Sequence, residues 1–390
     1  MNSDLIFALA FYGLLFIFFL VKRDKFEVQG GIFALYRTKL GLKLMDRLSG
    51  RFLLMWDIIG VLAIIIGFFG MALMIYFLMI GAYGVLLGKE AILSPVIPGV
   101  KIAAGLPTLG FWHWVISIFI VAVIHEFSHG VLARRYDVKV KSSGFAFLGP
   151  ILAAFVEPDE KQLKKRKKRE QLAVFSAGPF SNIVLGIVFL IITAFLANAS
   201  YNTMDFNGMK INGFEKDSVL EQTGVQIGEI IYSVNGIKIE DRGSFDKVAK
   251  SMKPGDKVSI VTDKGTYNVY AGQYLGNKER AYLGVSLEAK GFKQDYKDRY
   301  GDFWLRALYW FYLLCWWIYT ISIGIGIFNL VPLGPVDGGR MLLTGLQRFF
   351  KDKTAKRVWL YVSWFVLLLI FVNLLPWIIK LLMFIVNLFS

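Results

Sequence analysis

A polytopic α-helical membrane protein of about six transmembrane helices, with one α+β soluble domain inserted between them, is the architecture that three observations predict. Hydrophobic residues make up 56% of the 390-residue chain, and the mean hydropathy is +0.53. The apolar residues gather into nearly uncharged runs, several long enough to cross a bilayer. Between the fourth and fifth runs lies a polar stretch of about one hundred residues with short alternating patterns, the signature of a small folded domain.

The runs read as spans at Leu5 to Val21, Phe52 to Gly81, Phe111 to Ala133, Leu172 to Leu196, Phe303 to Val331 and Trp359 to Leu375. A further apolar stretch, Trp377 to Phe389, follows Pro376. The sequence leaves open whether it continues the last helix or lies in the interface. The first span has neither a basic n-region nor a small-residue cleavage site, so a retained anchor is expected. A single cysteine, Cys315, excludes an intramolecular disulfide framework.

Charge orients the chain. Residues 22–51 hold eight basic and three acidic residues, and residues 134–170 hold eleven basic and five acidic. Both loops read as cytoplasmic under the positive-inside rule. Residues 202–302 carry fifteen of each sign, so the formal charge of +15 arises outside that stretch. A neutral domain is compatible with translocation, which puts it on the extracytoplasmic side. The run Lys164-Lys165-Arg166-Lys167-Lys168-Arg169 is then a topology signal in contact with anionic membrane lipids, and no nucleic-acid partner is expected.

Inside the third apolar run stands His125-Glu126-Phe127-Ser128-His129. Residues i and i+4 share one face of a helix, so both imidazoles can converge on one ion. Glu126 lies beside them without ligating, placed for acid/base work in metal-assisted hydrolysis. The chain has three histidines, and two of them fall here, where ionisable groups are costly and usually functional. His113 lies twelve residues earlier, about 18 Å along a continuous helix, and reads as an interfacial residue between Trp112 and Trp114. A third ligand must come from elsewhere. Of the carboxylates in or beside spans, Asp337 is favoured, because it sits in the Pro/Gly-rich break Asn329-Leu330-Val331-Pro332-Leu333-Gly334-Pro335-Val336-Asp337-Gly338-Gly339. Broken backbone at membrane depth is tolerated where it lines a cavity. Asp57 reads instead as a helix-start residue near Arg51.

These motifs, together with Gly178-Pro179-Phe180-Ser181-Asn182, resemble the site-2 protease family of intramembrane zinc metalloproteases. The resemblance implies one Zn2+ per chain held by His125, His129 and Asp337, with Glu126 activating water. It also implies that Asn182 lies near the scissile peptide and that Asn329 and Pro332 border the substrate. Residues 111–201 and 303–350 then form the catalytic core, residues 1–110 an N-terminal accessory region, and residues 351–390 a C-terminal membrane region. On its own, the Gly178 to Asn182 spacing reads as helix packing rather than as a site. Residues 139–157 resemble the family's membrane-associated hairpin, able to offer an edge to an unwound substrate.

The stretch from Val219 to Gly236, continued by Ser244 to Ser251, Pro254-Gly255-Asp256 and Val258 to Val261, resembles a PDZ domain within residues 202–302. A peptide ligand, or a filtering role over the entrance, is what that resemblance implies. Thr203 to Asn207 and Gly291 to Asp302 read as its linkers. The expected substrate is a transmembrane segment of another membrane protein, cut near the cytoplasmic face in regulated proteolysis. The alternative is a non-catalytic zinc-containing receptor or scaffold that binds peptides through the inserted domain. The presence of Glu126 argues against it, since a structural zinc site needs no such carboxylate.

Overall fold

The computed structural model describes residues 3–29, 33–89, 91–99, 107–148, 151–215, 217–274 and 277–389. The chain divides into two compact units. One is the helical membrane unit and the other is centred on residues 193–313.

The membrane unit begins with α1 (Ser3–Val21), followed by the hairpin β1 (Phe26–Gln29) and β2 (Phe33–Thr38), and by the short α2 (Leu42–Ser49). Then come α3 (Leu53–Leu86), α4 (Phe111–Arg135), β3 (Val140–Leu148), β4 (Ile151–Pro158), α5 (Glu160–Lys165) and α6 (Lys168–Thr203). Beyond the inserted domain the unit resumes with α9 (Asp302–Phe328), α10 (Asp337–Leu346) and α11 (Asp352–Phe389). Five helices, α3, α4, α6, α9 and α11, are long and apolar enough to cross a membrane. The sixth expected span, α1, is a helix whose apolar part, Leu5–Val21, is shorter than the other five. The stretch after Pro376 continues α11 without a break, because the chain stays helical through the proline.

Glycines on one side of α3 let neighbouring elements approach its backbone. A Cβ on Gly67 would lie 2.5 Å from Cε of Met341, and one on Gly70 would collide with the Leu330 side chain. In a bilayer, where apolar burial no longer separates helix from lipid, such close contact and interhelical hydrogen bonds hold helices together. Asn373 illustrates the second. It is fully buried, and its Nδ2 donates to the carbonyls of Leu78 on α3 (2.9 Å) and Leu369 (2.8 Å). Asp57, expected near Arg51, pairs instead with Arg135 of α4 at 2.7 Å. Sequence proximity misled here because the α3 and α4 ends are adjacent in space.

The expected hairpin at residues 139–157 is real, and larger than expected. Strands β3 and β4 pair antiparallel from Val140↔Pro158 to Leu148↔Ile151. On the other side of β3 lies β2, from Phe33↔Leu148 to Thr38↔Ser143, so the sheet order is β1-β2-β3-β4. Among the described residues, β4 has a strand neighbour on one side only.

The inserted unit contains β5 (Met204–Phe214), β6 (Ile230–Val234), β7 (Ile237–Lys238), α7 (Arg242–Ser251), β8 (Lys257–Thr262), β9 (Thr266–Tyr270), β10 (Gly272–Tyr274), β11 (Asn277–Tyr282), β12 (Val285–Phe292) and α8 (Gln294–Tyr300). The main sheet runs β12-β5-β6-β8-β9, with β7 beside β6 and β10 paired to β11. Its buried core includes Ile211, Leu220, Ile231, Val234, Val258 and Ile260. The β6-β7 turn uses Asn235 and Gly236, both at positive φ (51° and 76°), as a two-residue hairpin of this hand requires. The stretches read as linkers are structured. Met204 pairs with Phe292 at the end of the β5-β12 ladder, and the Lys293 amide donates to the Thr203 carbonyl (2.9 Å). The first stretch holds the start of β5, and the second holds the end of β12 and the whole of α8.

Helix α7 starts at a capping box in which Asp241 accepts from the Ser244 amide and the Ser244 hydroxyl receives the Asp241 amide. The Ser244 amide, and then its hydroxyl, hold the Asp241 carboxyl below its ordinary range. A depressed carboxylate stabilises the fold above its unfolded value, and that contribution is lost as pH falls through the folded one. Asp241→Ala is expected to cost about 1 kcal/mol of local stability and Asp241→Asn much less. Hydrogen exchange across α7 at neutral pH reads both, and the alanine deficit should shrink on acidification.

Candidate metal centre

Helix α4 carries both histidines on one face, and its hydrophobic length places them deep in the membrane unit, where each is at most 9% exposed. Their Nε2 atoms lie 3.2 Å apart. Oδ2 of Asp337 lies 3.0 Å from Nε2 of His125 and 3.3 Å from that of His129. Among the described residues, His125, His129 and Asp337 form the one group of three such ligand atoms, all within 4.8 Å of each other. His113 is buried elsewhere on α4 and is not part of it.

Each imidazole is held from behind by α6. Nδ1 of His129 donates to the Val174 carbonyl at 2.7 Å, which turns Nε2 toward Asp337. The side-chain amide of Asn182 lies 3.0 Å from Nδ1 of His125. The atom that faces the ring is Nδ2, and an end-for-end turn of the amide would bring its oxygen to the same place, the partner that an imidazole ligating through Nε2 and protonated at Nδ1 requires. Asn182 is fully buried, and the Ser322 hydroxyl of α9 donates to its carbonyl at 2.8 Å. Expected to border the scissile peptide, Asn182 stands instead behind a ligand ring and outside the cavity lining.

Gly178 completes the fit between α4 and α6. A Cβ at that position would stand 2.5 Å from Nε2 of His125 and closer still to that of His129. Any larger residue would occupy the space between α6 and the two nitrogens.

Asp337 is delivered by the break between α9 and α10. The Gly338 amide donates to the Asn329 carbonyl at 2.7 Å, folding the chain back on itself. A Cβ on Gly338 would strike the Leu330 and Val331 carbonyls, and one on Gly339 the Leu333 carbonyl. Both glycines are therefore required by backbone contact, and with them α10 begins at Asp337. Pro332 is buried in this turn, its carbonyl accepting from Ser363 of α11 at 3.2 Å.

A cavity of about 720 Å3 opens onto the three ligand groups. Glu126, Asn329 and Arg340 line it, as do Val156 of β4 and the charged side chains of Lys161 and Glu157. Pro332 does not. Glu126 is not among the converging ligands. Its Oε2 accepts from the Val156 amide at 2.9 Å, an N–H on the open side of β4. Sequence reasoning missed Val156 and Val174, since both act through backbone atoms that no side-chain motif encodes. Gly178 was visible only as a small residue in a packing motif.

The profile of Peptidase family M50 matches residues 113–371, which contain all of these side chains. An uncharacterized protein of Methanocaldococcus jannaschii is 30% identical over 327 residues, 81% of this chain and 79% of its own length. The zinc metalloprotease RasP of Shouchella clausii is 22% identical over 245 residues, half of this chain and 55% of that one. The PDZ domain of an SdrC-like protein from Listeria monocytogenes aligns to 21% of this chain and 88% of that structure, at 20% identity and a TM-score of 0.19. On the profile match and the archaeal relative, the chain belongs to peptidase family M50, the site-2 protease family of membrane metalloproteases.

Proposed function

We propose that the protein is an intramembrane zinc endopeptidase that cuts peptide bonds within or beside transmembrane segments of other membrane proteins. The observation that carries this is the convergence of His125, His129 and Asp337 on one point, with Glu126 in the same cavity. Two imidazole nitrogens and one carboxylate oxygen are a donor set suited to a catalytic zinc, which takes three protein ligands and keeps a position free. The space left by Gly178 and the ring orientations held by Val174 and Asn182 fit the same ion.

When bound there, the ion supplies a Lewis acid that acidifies water and polarises a carbonyl. The remaining work falls to the chain. Glu126 Oε2 is engaged by the Val156 amide, leaving Oε1 to take the proton of the attacking water and hand it to the leaving nitrogen. Asn182 and Val174 act as positioning groups that keep both ligand rings oriented. Asn329 borders the substrate from the α9-α10 turn, and Pro332 holds the shape of that turn.

A transmembrane helix must be unwound before its carbonyl is accessible. The open edge of β4 offers backbone partners for an extended segment, which compensates the lost helical hydrogen bonds by strand addition. The charge pattern supports an orientation with the basic loops and the cavity toward the cytoplasm and residues 202–302 outside. Anionic lipids contact the basic run at residues 164–169. Cleavage in that orientation frees a cytoplasmic fragment, as in regulated intramembrane proteolysis, and the inserted PDZ-like domain binds a peptide or screens substrates.

Glu126→Gln is expected to abolish cleavage of a model transmembrane substrate while leaving about one zinc per chain by elemental analysis. Asp337→Ala should lose both, and zinc retained at the wild-type level would remove Asp337 from the site. Gly178→Val should behave like Asp337→Ala although it deletes no ligand, because its side chain enters the ion's space. Asn182→Leu is expected to weaken zinc about 10- to 100-fold in a competition titration, with Asn182→Gln the milder change.

A further inference from the structure

Beside the metal cavity lies a second one of about 330 Å3, and the two share Glu126 and Val156. Its walls are apolar: Phe119, Val123 and Phe127 from α4, Phe145 from β3, Phe155 from β4 and Met45 from α2. Glu126 is the one charged residue in the lining. The two hydroxyls present are already committed. Thr38 Oγ1 donates to the Ser143 carbonyl (3.2 Å), and Ser143 Oγ donates to the Leu40 carbonyl (2.6 Å). Apart from Glu126 the lining offers no uncommitted polar side chain, which favours an apolar guest, and an apolar cavity of about 150 Å3 already takes a benzene ring.

The position of this cavity decides what the guest is. Glu126 must face the scissile bond, and the Val156 amide it holds lies on the open side of β4. An extended chain added to that edge runs past both groups, and its side chains alternate between its two faces. One that flanks the scissile bond is thereby directed into the cavity next to Glu126. We propose that this cavity is the subsite for a large apolar substrate side chain adjoining the cleaved bond, sized by residues 38–45. The proposal rests on the protease reading above.

Residues 38–45 precede the stretch matched by the family profile, so this part of the wall is supplied by the chain's own N-terminal region. Met45 is the element that sets its depth. It is 2% exposed and packs where a Cβ on Gly130 would stand 2.6 Å from its Sδ, one residue beyond His129. An unbranched thioether deforms more readily than a branched or aromatic side chain, so this wall can adapt to guests of differing shape.

The test uses the full-length protein with a transmembrane substrate in which each residue flanking the cleaved bond is varied through Ala, Leu, Phe and Trp. Cleavage and zinc content are measured together for wild type, Met45→Ala and Val123→Trp. At one flanking position the wild type should prefer Leu or Phe to Ala by about tenfold or more in kcat/KM. Met45→Ala should shift the optimum toward Trp, and Val123→Trp should reverse the preference in favour of Ala. If either variant keeps its zinc and cleaves with an unchanged ranking at both flanking positions, the subsite assignment fails. A lipid acyl chain as the true occupant gives that same unchanged ranking. A wild type that binds no zinc and cleaves none of the substrates overturns the protease reading itself, and the subsite with it.

Discussion

Two imidazoles four residues apart on a helix point their Nε2 atoms at one place only if something fixes both rings from the other side. Here α6 does so with one backbone carbonyl, Val174, and one buried amide, Asn182. Between them on the same face of α6 stands Gly178, whose missing side chain leaves the space where the two nitrogens meet. Orientation and clearance are thus set by a single helix-helix contact. Around it the hydrophobic cluster of Leu132, Ala133, Val174 and Ala177 keeps the spacing of α4 and α6 fixed. Protein interiors packed to this density transmit small displacements rather than absorbing them.

The third converging group depends on a different device. Asp337 stands at the start of α10, where glycines fold the preceding turn so tightly that backbone meets backbone. Such irregular chain at membrane depth is admissible because its polar groups find partners within the protein, as the Gly338 amide does with the Asn329 carbonyl. Leu330 and Met341 bury the turn against Met71 of α3, so α3 supports a carboxylate that it does not supply.

Much of this was legible in the sequence. The spacing of His125 and His129 and the costly carboxylate of Asp337 in a broken apolar run identify chemistry by residue type, and residue type is what a sequence records. The inserted domain announced itself through turn residues such as Asn235-Gly236, whose positive φ values restrict the choice of side chain. Illegible were the features carried by backbone or by distant pairing. Strands β1 and β2 are short segments in a charged loop, and the strand that ties their hairpin into the sheet, β3, lies about a hundred residues from its partner β2. Asn182 was found by its motif but its contact with the His125 ring was not, because a sequence cannot say which ring a buried amide meets. The stretches at residues 203–207 and 291–302 looked loose because a strand end and a seven-residue polar helix share the composition of linkers.

The pairing of Met204 with Phe292 bears on how such a chain could have been assembled. Antiparallel partners lie about 5 Å apart between Cα atoms, so the inserted domain leaves and re-enters at nearly one point. A domain bounded this way is a cassette. A short turn can bridge the same gap, which means that gaining, losing or exchanging the insert demands no redesign of the helices on either side.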